Sequence, residues 1–383
     1  MPIRFQELSL AAQSSYSQLF QTAVEVQSRQ LVNGLSGNFI SKKVKGNLYW
    51  YYRYSDPVDG RVQAYLGPDS DAIQALLAKT SSKEAISGVV ALRKQVGVAV
   101  VMGLSQINAA QLKPIKRLAE YGFFQAGGLL VGSHAFAAYA NMLGIIWSQE
   151  TLHRTLDVDF AHAGNQVSLL VGDGFKINAT TAIESLEEGF LPRLSSSGRS
   201  GSWVHPSDPD NVIDFLTTKT NESDAPFEFP PLGIARQPLK FMEFSLENLR
   251  QTVLFSQSSS AIVNVPDPAR YAIHKLIVYA ERVATNPTKA KKDLAQAGAL
   301  IEVLSRLNSD DLYDAYCNAI QRGRGWKNRL DKACISLEAH CPDLTFKKWL
   351  ADMAQTREDE ADAEGAVESS RDLRIDRIAL PKG

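Results

Sequence analysis

The sequence predicts an α+β protein: a small mixed β-sheet core, a helical domain after it, and an N-terminal module made of one helix and an antiparallel β-ribbon. Three observations carry this prediction. Leu129, Leu130 and Val131 form an apolar run that meets Gly132-Ser133 and a small-residue helix; residues 156–160 and 211–218 read as further strands; and from about Pro238 the chain turns helical. We therefore expect four segments: 1–105, the helix and ribbon module; 106–237, the core; 238–353, the helical domain; and 354–383, a polar and disordered tail.

Composition narrows the class further. At 383 residues the chain suits more than one domain. Its 41 Lys plus Arg against 42 Asp plus Glu leave no global pull toward nucleic acid or membrane, so any such pull is local. Three cysteines, Cys317, Cys334 and Cys341, lack zinc-ligand spacing and fit a reduced compartment. With no apolar run of about 20 residues and no signal-peptide pattern at the start, the expected location is cytoplasmic.

Taking the elements in order, apolar residues at Leu8, Ala11, Tyr16, Leu19, Phe20, Ala23 and Val26 give a helix over 5–32. Residues 38–67 then alternate β-formers with turn signals at Gly46-Asn47 and Asp59-Gly60, which gives two or three antiparallel strands. On this ribbon Lys42, Lys43, Lys45, Arg53 and Arg61 interleave with Tyr49, Trp50, Tyr51, Tyr52 and Tyr54. Two readings stand: a surface that grips RNA phosphates and stacks bases, or tyrosines packing a small sheet whose lysines protect its edge. Helices are expected at 71–80, 82–96 and 109–121, the last ended by Gly122 as a C-cap. Beyond the core strands, 164–175 reads as a short strand or loop, 177–193 as a helix, 194–203 as a flexible connection, 267–284 as a helix opened by Asp267-Pro268 and ended by Asn286-Pro287, and 288–307 as a further helix.

The chemistry concentrates between 125 and 161. Gly132-Ser133 lies where a strand hands over to a helix, so backbone N–H groups and the positive helix end face whatever sits above the turn. Asp157 and Asp159 are separated by one residue, and strand alternation turns both carboxylates to one face. Such a pair of hard oxygen ligands suits Mg²⁺ or Mn²⁺ bridging to phosphate. Asp214 is embedded in Val212, Ile213, Phe215 and Leu216; it is a third metal ligand, a base, or a carboxylate capping a loop. Arg154, three residues before Asp157, has two readings: a phosphate contact or a surface role.

Lys275, Tyr279 and Arg282 share one helical face, and Asp293 shares its face with Ala297, Leu300 and Leu304. An inward Asp293 needs a cation such as Lys275 or Arg282, in either a structural salt bridge or a functional site. The histidines, His134, His153, His162 and His274, are not paired at ligand spacing.

The order VGSHAF, RTLDVDF, VIDFLT resembles the nucleotidyltransferase superfamily with a polymerase-beta-like fold, and the continuation VPDPARYAIHKLIVYAERVATNPTKAKKDLAQA is similar to its AbiEii, type IV toxin-like bacterial branch. The resemblance covers about 119–307. It implies transfer of NMP from an NTP to an acceptor with release of pyrophosphate, Mg²⁺ or Mn²⁺ as cofactor, and an RNA or tRNA end, a protein or a small molecule as acceptor. An antitoxin-like protein partner is implied as well. Carried over, Gly132 and Ser133 hold nucleotide phosphate, Asp157, Asp159 and Asp214 bind metal, and Lys275 and Asp293 complete the catalytic set. The connection from Ser133 to Asp157 is longer than the compact pattern, which calls for a loop or a second short helix. The competing expectation is a catalytically silent nucleic-acid-binding or regulatory protein on the same fold, although Ser133, Asp157 and Asp159 are all retained.

Overall fold

In the computed structural model of the chain, the residues described are 4–32, 35–44, 46–56, 60–80, 83–148, 156–163, 178–193, 198–220 and 223–375. They divide into two compact units, Met1–Pro268 and Ala269–Gly383.

The first unit opens with strand β1 (Phe5–Glu7), where the sequence predicted helix, and then helix α1 (Leu10–Gln30). The ribbon is larger than expected. Strands β2 (Leu31–Val32), β3 (Leu35–Val44), β4 (Asn47–Asp56) and β5 (Gly60–Pro68) pair antiparallel in that order. Helices α2 (Asp71–Thr80) and α3 (Lys83–Val101) follow as the periodicity predicts. Helix α4 (Ala109–Glu120) is capped by Asn108, whose side-chain oxygen accepts from the Ala110 N–H, and Gly122 follows it at φ +82°.

Strand β6 (Gly128–Leu130) leads into helix α5 (Gly132–Met142), and strand β7 (Ile145–Trp147) pairs antiparallel with β1. Part of the long link from Ser133 to Asp157 is thus a strand tied to the N-terminus, where a loop or second helix was expected. Strand β8 (Val158–His162) carries Asp159. The strand or loop predicted at 164–175 and residues 194–197 of the flexible connection lie outside the described residues; the end of that connection, Ser202 and Trp203, is strand. Helix α6 (Ala179–Glu184) is much shorter than the predicted 177–193, and strand β9 (Leu191–Pro192) occupies the end of that stretch.

Strands β10 (Ser202–His205), β11 (Asp208–Thr218), β12 (Phe227–Phe229) and β13 (Ile234–Leu239) complete a seven-stranded mixed sheet with β6, β8 and β9. Strand β11 runs parallel to β8 and β13 and antiparallel to β10. A short helix α7 (Met242–Leu246) and the hairpin β14 (Leu249–Phe255) and β15 (Ser260–Pro266) close the unit. The sequence assigned 238–268 to the helical domain; apart from α7, much of this stretch is strand. The hairpin packs with the N-terminal helices: Val253, Phe255 and Ile262 share one core with Leu19 and Ala23 of α1 and Val96 and Ala99 of α3.

The second unit is helical: α8 (Pro268–Arg282), α9 (Pro287–Leu307), α10 (Ser309–Gln321), α11 (Arg324–His340) and α12 (Phe346–Ile375). Helix α9 begins at an Asn286 cap with Pro287 in its first turn, so the dipeptide expected only to end the preceding helix also opens this one. The tail, expected to be largely disordered with at most a short helix, is corrected over 354–375, where α12 continues to Ile375; residues 376–383 lie outside the described residues. The first turns of α12 are anchored by buried Phe346, stacked on Trp349 at 5.6 Å, and by Arg357, which pairs with Asp310 at 3.0 Å. None of the described helices is long and apolar enough to cross a membrane.

Candidate active site

The sheet presents two chemically different faces. On one, Val158, Phe160, Ile213 and Phe215 are buried, with Phe160 stacked on Phe215 at 5.5 Å and Phe123 set edge-on to both. Strand alternation puts Asp159 and Asp214 on the other. The parallel register aligns Asp214 with Asp159 directly, as it aligns Phe215 with Phe160. Adjacent strands are about 4.8 Å apart, so two half-buried carboxylates stand abreast. Among the described residues the Asp214 carboxylate has no hydrogen bond or ion pair. Asp157 is half-buried immediately before β8, two residues from Asp159.

Helix α5 delivers the turn. The Val131 N–H donates to the Asp159 backbone carbonyl at 2.9 Å, which ties the end of β6 to the strand bearing the carboxylate. The next residue, Gly132, has φ +63°, and a β-carbon there would overlap the Asp159 Oδ2. Glycine is therefore required twice, by backbone conformation and by contact. Val131 supplies no capping side chain, so a helix start with its positive end lies beside a carboxylate. Ser133 is the second residue of this helix and is half-buried.

Behind this site the strands end in a buried polar cluster that the sequence reading missed. His162 is 1% exposed, and its Nε2–H donates to the Ala126 carbonyl at 2.8 Å. Burial, with lesser help from the Arg236 charge, pulls its pKa down to about 4 despite that hydrogen bond. The His162 carbonyl accepts from Thr217 Oγ1 at 2.9 Å and from Arg236 Nη1 at 3.2 Å. Asn264, from β15, donates to the Phe124 and Gly128 carbonyls at 2.7 and 3.0 Å and holds the turn before β6. A lone Asn in a strand and an Arg in a Pro-containing one gave no sequence signal; only the sheet register shows them facing inward.

The remaining predicted site residues, Lys275 and Asp293, lie in the second unit and bind each other. Lys275 Nζ donates to Asp293 Oδ1 at 2.6 Å and Arg282 Nη1 to Oδ2 at 2.9 Å. Both cationic partners expected from periodicity thus reach one buried carboxylate. Burial pushes the Asp293 pKa up, but Lys275 and Arg282 outweigh it and hold the carboxyl below its usual range. Arg154 lies outside the described residues.

Comparison with known proteins places this geometry in a class. A family model described as Nucleotidyltransferase matches residues 111–321, more than half of the chain, and the chain belongs to that family. Among solved structures, the chain is similar to an antigenic nucleotidyltransferase-like protein from Paracoccidioides brasiliensis, at 15% identity, covering 59% of this chain and 94% of that one with a TM-score of 0.29. No curated protein sequence matches.

Proposed function

We propose that the first unit is the catalytic body of a metal-dependent nucleotidyltransferase, which moves NMP from an NTP to an acceptor hydroxyl and releases pyrophosphate. The observation that carries this reading is the register pairing of Asp159 with Asp214, set against the Gly132-Ser133 helix start. Two parallel carboxylates repel each other and offer hard oxygen donors, which fits Mg²⁺ or Mn²⁺. Among the described residues no three His, Cys, Asp or Glu side chains form a ready cage. Such an ion ordinarily keeps several waters and takes further positions from substrate phosphate. Asp159 and Asp214, with Asp157 beside them, would hold it. When bound, such an ion neutralises charge on the phosphates and lowers the barrier to displacement.

The protein's own part is positioning. The α5 N-terminus would receive nucleotide phosphate, with the Ser133 hydroxyl as an added donor. A carboxylate not engaged with the ion would accept the proton of the attacking hydroxyl. For the acceptor we favour RNA, because the β3–β5 sheet carries exposed Lys42, Lys43 and Arg53 among half-buried Tyr49 and Tyr51.

The test is to incubate the purified protein with each α-phosphate-labelled NTP, Mg²⁺ and total cellular RNA, and to identify the labelled product by mass spectrometry. The expected product is RNA extended by one or more nucleotides. Label appearing only on protein would refute the RNA acceptor while leaving nucleotidyl transfer standing, and an absence of label on any macromolecule or small molecule would refute both.

A further inference from the structure

On the face of the sheet opposite the carboxylates is a buried cation that has no anionic partner among the described residues. Strand β13 pairs with β11 so that Gln237 aligns with Leu216; Arg236 therefore lies on the face of Phe215, away from Asp159 and Asp214. Arg236 is 3% exposed. Its guanidinium lies 4.0 Å from the centre of the Phe229 ring and 5.4 Å from that of Phe227. Among the described residues it has no carboxylate partner: Nη1 reaches only the His162 carbonyl, and Nε, sealed from solvent, has no hydrogen-bond acceptor. Burial alone lowers its pKa to about 10, as expected for a charge stripped of water without a counter-ion.

The same side chain lines a cavity of about 450 Å³, together with Phe227, Phe229, the threonines Thr217, Thr218 and Thr220, and the exposed acid Glu228. Its walls combine flat apolar surfaces, the Thr218 and Thr220 hydroxyls and the buried Arg236 charge; the Thr217 hydroxyl is taken by the His162 carbonyl, and Glu228, the one acid in the lining, is exposed to solvent. Leaving an arginine buried without an anion is costly, whereas an anion beside it would gain a charge-assisted contact.

We propose that this cavity binds an organic anion, a carboxylate or a phosphate monoester carried on a flat apolar group, with Arg236 as its counter-ion. The site is separate from the nucleotidyl-transfer carboxylates and does not depend on their assignment.

Isothermal titration of the full chain with sodium benzoate, sodium phenyl phosphate and neutral benzamide tests it. At least one anion should bind saturably with one-to-one stoichiometry and at least tenfold more tightly than benzamide; which one binds separates carboxylate from phosphate recognition. Arg236→Met, checked for an unchanged circular dichroism spectrum, should weaken that binding at least tenfold. Thr220→Trp, which fills the exposed rim without touching the guanidinium, should do the same and decides alone if Arg236→Met does not fold. Asp159→Asn should leave binding unchanged. The proposal is overturned if neither anion binds, if benzamide binds as tightly, if the folded variants bind like the parent, or if Asp159→Asn abolishes binding.

Discussion

At Gly132 a backbone constraint and a site constraint coincide. The residue turns the chain from β6 into α5 at positive φ, and its missing side chain makes room for the Asp159 carboxylate. Gly132→Ala should therefore cost about 1–3 kcal/mol of stability and lower nucleotidyl transfer at least tenfold; thermal denaturation with an initial-rate assay checks both. A parent-like rate would mean that the close approach of turn and carboxylate has no catalytic role. Lys275→Met is expected to act on stability, because it leaves the nearly buried Asp293 with only half of its neutralisation. Breaking such a buried pair from one side costs about 3–5 kcal/mol, which urea denaturation would register. Residues of this kind were legible in the sequence because each broke a local pattern: a glycine before a helix, an acid among β-formers, an acid on an apolar helical face. Arg236 broke no pattern, since an arginine in a strand is ordinarily solvated; only the parallel register turns it inward.

The parallel pair β8 and β11 converts two carboxylates 55 positions apart in sequence into neighbours. Each strand was readable alone from its alternation, whereas their direct alignment was not, because register is set by the hydrophobic faces of both strands together. The hairpin β14–β15 was missed for a related reason. Its buried half reads Val253, Leu254, Phe255 and then Ala261, Ile262, Val263, a run without alternation that could equally belong to a buried helix. The ribbon divided between its two sequence readings. Tyr52 is buried 4.9 Å from Phe39, and Trp50 Nε1 donates to Asp69 at 2.9 Å, so these two aromatics serve the sheet itself. Lys42 is exposed, donating to Gln63 at 2.7 Å and lying 4.8 Å from the Tyr51 ring centre, and Lys43 is exposed beside it. Replacing both lysines with alanine should weaken RNA binding and reduce the slope of log affinity against log salt by about 1.4, from roughly 0.7 per phosphate contact on single strands. An unchanged slope in filter-binding titrations would return the lysines to edge protection.

For the molecule as a whole, buried titratable groups set the response to acid. His162 in the first unit and His274 in the second are held neutral, with pKa values near 4 and 3 against 6.5 in the unfolded chain, principally by burial. As pH falls below 6.5 the unfolded state takes up these protons before the native state does, so stability is lost. Asp293 acts in the same direction at lower pH, because its native pKa is depressed and its pairing is lost on protonation. Each histidine is worth on the order of 3 kcal/mol once its loss is complete. Urea midpoints should be level between pH 7 and 8 and fall progressively below pH 6.5, and His162→Gln should flatten part of that fall. Midpoints that stay constant to pH 5 would contradict the buried-neutral assignment. The near balance of 41 basic and 42 acidic residues leaves function to such local arrangements, and the proposed transfer rests on the carboxylate pair beside α5. Its most direct test is pyrophosphate release from NTP with Mg²⁺ and the identified acceptor, comparing the parent with Asp214→Asn, a near-isosteric change that should preserve the fold. The account predicts a loss of at least a hundredfold in the variant with an unchanged melting temperature; equal release from both proteins would contradict it.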